Sequence, residues 1–147
     1  MASLNPRPDP EAARLLVLQN APSSGAYAIG SFVDRLVEEA SFDAAGCQAL
    51  EAALRTLVDH PTLAAATDRY VFAIYRLVAL QLLCHLNPND VCGVDNLDDD
   101  AAIDLKNRFD FVVGSYFFRE PFEIDAWWRQ WRPGGAGEGV PGRREPP

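Results

Sequence analysis

A run of acidic side chains in NLDDDAAIDLKNRFD, residues 96–110, is the feature of this 147-residue chain with the most potential for chemistry. Carboxylates at this density hold divalent cations, act in acid–base catalysis, attract basic partners or cap helices. The stretch 90–104 contains no lysine or arginine, and its acidic residues are Asp90, Asp95, Asp98, Asp99, Asp100 and Asp104. Because the net charge of the chain is −8, this stretch carries most of the excess negative charge.

A calcium loop of the EF-hand type is the first cation site that the segment suggests. Such a loop has oxygen ligands at positions 1, 3 and 5, glycine at 6 and glutamate at 12. Counted from Asn96, the loop has Asp98 and Asp100 in place, but Ala101 and Asn107 replace the glycine and the glutamate. The pattern therefore predicts no metal site. It predicts instead that one aspartate of this run caps a helix.

A metal-dependent hydrolase that uses the carboxylates from Asp95 to Asp104 is the enzymatic alternative. Paired-carboxylate phosphohydrolases place acids three or four residues apart on two facing helices, and no E-x-x-E or E-x-x-D pair occurs at Glu38–Glu39 or at Glu51. A phosphate-binding glycine loop and a G-x-S-x-G motif are also absent from the sequence. The sequence therefore favours a protein without catalytic residues and without a cofactor.

The cysteines and histidines do not have the spacing of a zinc site. No two cysteines stand two to four residues apart, and adjacent Cys84 and His85 would lie on different sides of a helix. A nucleophilic Cys92–His85 pair stays as an alternative, although acidic surroundings raise the pKa of a thiol and make it less reactive. An odd number of cysteines without framework spacing predicts reduced thiols.

Composition and charge restrict the class of partner. A content of 48% hydrophobic and 23% charged residues is typical of one soluble domain at this length. The charge of −8 disfavours nucleic acid and anionic membranes, because both carry the same sign. The N-terminus lacks the pattern of a secretory signal, and arginine outnumbers lysine twelve to one. These features predict a cytoplasmic, bacterial protein.

Helical periodicity recurs along the chain between start and stop signals. We predict helices after Asp9-Pro10, over 27–40, between Asp43 and Pro61, over 62–86, over 99–117 and over 121–131. FVVGSYFF at 111–118 has the residue types of a strand, but no stretch shows strict alternation with hairpin turns. The result is an all-α, single-domain bundle of five or six helices over residues 1–132. A disordered tail rich in Gly and Pro is predicted at 133–147.

The same patterns predict which side chains are buried. The most apolar window, 70–86, is 17 residues long and contains Arg76, so we predict the most enclosed helix rather than a membrane span. Two pairs spaced i,i+4, Glu51–Arg55 and Asp104–Arg108, are predicted on outer helix surfaces. Near the C-terminus, Trp127 and Trp131 share a helix face and are expected to seal the bundle. Trp128 points elsewhere and is predicted to be an exposed anchor.

These observations lead to a binding protein as the functional hypothesis. An acidic surface speeds the encounter with a basic protein and fixes its orientation. A nuclease-type toxin is such a partner, because its active surface attracts phosphates, and a toxin-neutralising (immunity) protein would block that surface. The predicted partner-binding residues are Asp90, Asp95, Asp98, Asp99, Asp100, Asp104 and Trp128. A homodimeric structural protein, paired through helix 62–86 or the tryptophans, is the remaining alternative.

Overall fold

The computed structural model of the chain describes residues 7–134, and within that range it contains six α-helices and no strand. The helices are α1 (Pro10–Asn20), α2 (Phe32–Glu38), α3 (Ala44–Val58), α4 (Pro61–Leu86), α5 (Asp99–Phe117) and α6 (Asp125–Gln130). The predicted all-α class and number of helices are confirmed. Of the predicted tail, residues 135–147 lie outside the described residues. Pro133 is described, and its carbonyl accepts a hydrogen bond from the Asp98 N–H at 3.1 Å.

Aspartate side chains fix the starts of three helices. Each accepts a hydrogen bond from the N–H three residues later: Asp9 from Ala12 at 3.0 Å, Asp43 from Gly46 at 3.1 Å and Asp98 from Ala101 at 2.7 Å. These N–H groups have no partner within the helix, and a carboxylate also interacts favourably with the positive end of the helix dipole. One acidic residue of the 90–104 stretch is therefore needed to begin α5.

The second helix begins later than the apolar periodicity predicts. Ile29, which we assigned to the packing side of this helix, is 94% exposed. Gly30 has a φ of +82°, a left-handed conformation that ends any helix continuing from residue 27. The carboxylate of Asp34 accepts a hydrogen bond from the Gly30 N–H at 2.8 Å, and Ser31 caps the helix. Local turn chemistry therefore overrides the apolar spacing.

Helix α3 is the helix with the largest buried share among the described residues, and it contacts α1, α2, α4 and α5. Nine of its 15 residues are buried. By contrast, only six of the 26 residues of α4 are buried, and they form a single stripe from Ala64 to Leu82. The prediction that α4 is the most enclosed helix is therefore wrong. Its apolar residues surround the helix, but its neighbours cover one side.

Helices α4 and α5 pack side by side in antiparallel directions. Tyr116 meets Thr67 through a hydroxyl–hydroxyl hydrogen bond of 2.8 Å, and Tyr75 donates to Asp110 at 2.8 Å. The residue numbers of the contacting positions therefore increase along α4 as they decrease along α5. The segment 111–118 is helical up to Phe117 rather than extended, because its buried residues recur at helical spacing and fit the core.

Candidate functional site

The connector between α4 and α5, residues 87–98, folds back over the last turn of α4. The Asn87 carbonyl accepts a hydrogen bond from the Asp90 N–H at 3.1 Å, and the Asn87 side chain accepts one from the Asn89 N–H at 3.0 Å. Further along, the Val94 N–H donates to Nδ1 of His85 at 2.8 Å. The chain therefore reverses direction at Asn87, and the Val94–His85 hydrogen bond holds it against the C-terminal end of α4.

The second half of the connector is tied to the segment between α2 and α3. The Asp95 N–H donates to the Ala40 carbonyl at 2.7 Å. The Asn96 amide forms two hydrogen bonds with the Phe42 backbone, at 2.7 and 2.8 Å. Because the connector is held at several points, the positions of its aspartates are defined by the fold.

The six predicted aspartates differ in the contacts that they make. Three have roles inside the fold: Asp90 contacts the thiols of Cys84 and Cys92, Asp98 caps α5, and Asp99 lies 3.5 Å from Nε2 of His85. Asp90, Asp95, Asp99, Asp100 and Asp104 are exposed, and Asp98 is half-buried. The side chains of Asp100 and Asp104 form no hydrogen bond or ion pair within residues 7–134. Asp100 and Asp104 are therefore exposed without a side-chain partner, whereas Asp90 and Asp99 are exposed but also contact neighbouring side chains.

The two surface ion pairs predicted at i,i+4 spacing are wrong, because Glu51 and Arg108 both point inward and pair with each other. Glu51 is fully buried, and the Arg108 guanidinium donates to its two carboxylate oxygens at 3.2 and 3.0 Å. Arg55 instead pairs with Asp59 at 3.2 Å. The consequence is a two-point ion pair in the core that joins α3 to α5.

Trp128 belongs to this buried group, so its predicted role as an exposed anchor is wrong. Its side chain is 6% exposed, and its indole N–H donates to Glu51 at 2.9 Å. A buried indole needs an acceptor for its N–H, and the Glu51 carboxylate supplies one. Burial raises the pKa of Glu51, while the hydrogen bonds from Arg108 and Trp128 act in the opposite direction and are outweighed.

The sequence contained a signal for this buried pair that the prediction missed. On α3, Glu51 lies four residues after Cys47 and three before Leu54, inside the apolar stripe rather than opposite to it. Arg108 likewise lies three residues after Leu105 and four before Val112 on α5. Opposite charges inside the apolar stripes of two helices indicate a buried partner for each.

The surface that the prediction did not foresee consists of the outward sides of α4 and α5. Its large apolar side chains, each between 44% and 59% exposed, are Phe72, Leu80, Leu83, Ile103 and Phe111. Asp100 and Asp104 lie on the same outward side of α5 as Ile103, and Phe111 follows on that side two helical turns after Asp104. We call these seven residues the α4–α5 face. A monomer gains nothing in its own core from these exposed apolar groups, and such patches are typical of interaction sites.

The thiols form a cluster that the sequence spacing did not predict. One ligand atom each of Cys84, Asp90 and Cys92 lies within 4.8 Å of the others, whereas Cys47 is buried elsewhere. A thiol–carboxylate hydrogen bond with Asp90 raises the pKa of Cys92, and burial together with Asp90 raises that of Cys84. The alternative Cys92–His85 nucleophile gains no support, because Nδ1 of His85 accepts from Val94 and Nε2 faces Asp99.

Comparisons with known proteins do not supply a family: no family model, curated protein or solved structure matches the chain. Among the described residues, α4 is the one helix long and apolar enough to cross a membrane, judged by length and composition alone. Only 22% of its most apolar window is buried against the rest of the protein.

Proposed function

We propose that this protein is a small, non-enzymatic binding protein that holds a basic protein partner on its α4–α5 face. The observation that carries the proposal is the combination on that face of five half-exposed apolar side chains and two carboxylates without partners, Asp100 and Asp104. Apolar contacts would supply affinity, at about 25 cal/mol for each Å² of apolar surface removed from water. The carboxylates would attract and orient a positively charged surface.

The most specific form of this proposal is a toxin-neutralising (immunity) protein in a bacterial cytoplasm. A nuclease-type toxin presents cationic side chains that bind phosphates, and exposed carboxylates compete for the same groups. The net charge of −8 supports rapid association with such a partner and repulsion from its nucleic acid substrate.

The arrangement of the carboxylates supports a binding protein over a metal-dependent hydrolase. The Asp98 carboxylate accepts the hydrogen bond that caps α5, and the Asp99 carboxylate lies beside the His85 ring. Within residues 7–134, no three acidic side chains from 95 to 104 lie together at the mutual distances of metal ligands. A hydrolase mechanism would need two or more of them to converge on one ion.

The test is affinity capture from the cells that make the protein, with the full chain immobilised. We expect a basic protein to bind at about 0.1 M salt and to be released at about 1 M, where the screening length falls from about 10 Å to about 3 Å. Asp100→Asn combined with Asp104→Asn should slow association about three- to tenfold. Leu80→Ser combined with Leu83→Ser should weaken binding through faster dissociation.

The matched control is Glu38→Gln combined with Glu39→Gln, which removes the same charge from two exposed residues at the end of α2. This control should bind the partner as the wild-type protein does. Capture of no basic partner, or equal capture by all variants, would contradict the proposal.

A homodimer is the second candidate function, and the exposed apolar side of α4 is the observation that favours it. In that case Leu80 and Leu83 would be covered by a second copy of the chain, without a basic partner. Sedimentation at several concentrations separates the candidates. A dimer that Leu80→Ser and Leu83→Ser dissociate would favour the second one, whereas a monomer of 16.2 kDa would exclude it.

A further inference from the structure

The thiol cluster at the end of α4 has the chemistry of a site for a soft divalent cation. Cys84 belongs to the last turn of α4, while Asp90 and Cys92 belong to the connector. Their nearest ligand atoms all lie within 4.8 Å of one another. Two sulfur atoms and one carboxylate oxygen at these separations are a donor set that zinc uses in proteins. From this geometry we propose that Cys84, Asp90 and Cys92 bind one zinc ion.

The distances suit a tetrahedral ion after a small movement. Zinc holds sulfur at about 2.3 Å and carboxylate oxygen at about 2.0–2.2 Å, so donors around it lie roughly 3.6–3.8 Å apart. An upper limit of 4.8 Å therefore requires the donors to approach one another by at most about 1.2 Å. Cys92 and Asp90 are exposed and belong to a connector, so this approach needs no change in the core.

The connector brings its two donors to α4 before any ion binds. The turn at Asn87 returns the chain, and the Cys92 N–H donates to the Asp90 carboxylate at 3.3 Å. The hydrogen bond from Val94 to His85 then holds the other side of the loop against the helix. Because these bonds already order the loop, an ion would not have to supply the free energy for ordering it.

The donor types select the cation. Thiolates favour soft or borderline ions such as Zn²⁺ over Mg²⁺ and Ca²⁺, which prefer sites made entirely of oxygen. His85 is not part of the set, because its Nδ1 accepts from Val94 and its Nε2 faces Asp99. Three protein donors leave the fourth position of a tetrahedral ion open to water or to a side chain of a partner.

The test uses the full chain, reduced and freed of metal, with Co²⁺ as a spectroscopic probe and Zn²⁺ in calorimetry. We expect one ion per chain, a thiolate-to-cobalt charge-transfer band that zinc abolishes, and a Kd for zinc of about 1 µM or tighter. Cys84→Ser and Cys92→Ser should each weaken zinc binding by about 100-fold or more, and Asp90→Asn by about tenfold. Zinc should also protect two thiols per chain from alkylation.

The control variant is Asp100→Asn combined with Asp104→Asn, which should bind zinc within about twofold of the wild-type protein because oxygen donors outside the cluster contribute nothing to a thiolate site. The proposal is overturned if no charge-transfer band forms, or if the band persists in both serine variants. It is also overturned if the reduced chain binds no zinc and oxidised glutathione converts Cys84 and Cys92 to a disulfide. None of these outcomes depends on whether a basic partner is found.

Discussion

Helices α3 and α4 differ in a way that their composition alone does not explain. Helix α3 contains a charged Glu51 in its apolar stripe, yet nine of its 15 residues are buried. Helix α4 contains the most apolar window of the chain, yet six of its 26 residues are buried and Leu80 and Leu83 face outward. The apolar content of a helix therefore indicates how much it can bury, while the sides that its neighbours cover determine how much it does bury, since α3 and α4 each contact four other helices.

The difference also separates side chains that hold the fold from side chains available for function. Glu51 tolerates burial because Arg108 and Trp128 satisfy its carboxylate. Leu80 and Leu83 have no comparable role in the bundle, and exposed apolar side chains of this kind are typical of interaction sites. The comparison predicts that substitutions on α3 change stability and that substitutions on the outer side of α4 change binding.

The largest effect is expected for Glu51→Ala. Removal of this carboxylate leaves the Trp128 indole N–H without an acceptor and leaves the buried Arg108 guanidinium with the Glu123 carbonyl but no counter-charge. We expect a loss of about 3–5 kcal/mol in the free energy of unfolding, as is usual when one partner of a buried ion pair is deleted. Denaturant titration of the variant and the wild-type protein measures this change.

Glu38→Ala on the surface of α2 is the control for this measurement, and its effect should lie within about 0.5 kcal/mol. A loss below about 1 kcal/mol for Glu51→Ala would show that the carboxylate is not required to hold α5 and α6 against α3.

The same substitution at matched leucines tests the comparison between the two helices directly. Leu54 on α3 is 1% exposed and Leu80 on α4 is 59% exposed. Leu54→Ala should lower the free energy of unfolding by about 2–5 kcal/mol, because it removes buried methyl groups and leaves a cavity. Leu80→Ala should change it by less than about 1 kcal/mol. Thermal unfolding of both variants would show equal losses if α4 were as enclosed as the sequence predicted.

The sequence predicts the architecture of this protein better than its surface. Helix starts at Asp9, Asp43 and Asp98 follow from the side chain and its next three residues, so local sequence is sufficient. The pairing of Glu51 with Arg108 joins positions 57 residues apart. Which sides of α4 are covered depends on the placement of every other helix. Such non-local relations are not contained in the periodicity of one segment.

The pH dependence of stability provides a further measurement on the buried pair. An unfolded glutamate titrates at about pH 4.3, and burial raises the pKa of Glu51 in the folded protein. The folded state therefore binds more protons, and the stability contributed by protonated Glu51 is fully present below about pH 4.3 and is lost as pH rises through the raised pKa. One group changes the free energy by at most about 1.4 kcal/mol for each pH unit.

We therefore expect the wild-type protein to lose stability relative to Glu51→Gln as the pH rises from about 4.3 toward neutral. Glutamine keeps the size of the side chain and an oxygen acceptor, but it does not titrate in this range. Denaturant titration of both proteins over a pH series measures the difference. A wild-type protein that instead gains stability with pH would show that the Arg108 ion pair outweighs the burial of the carboxylate.

The smallest expected change in stability distinguishes the aspartate that caps α5 from an aspartate that is only exposed. Asp98→Ala removes the cap of α5 and should lower the free energy of unfolding by about 0.5–2 kcal/mol. Asp104→Ala removes an exposed carboxylate without a partner in residues 7–134 and should change it by less than about 0.5 kcal/mol. Denaturant titration at one pH is sufficient for both. Because both variants remove one negative charge, an equal loss would mean that charge near the start of α5, rather than the capping hydrogen bond, stabilises the helix. Asp104 would then be part of the fold rather than of a surface reserved for a partner.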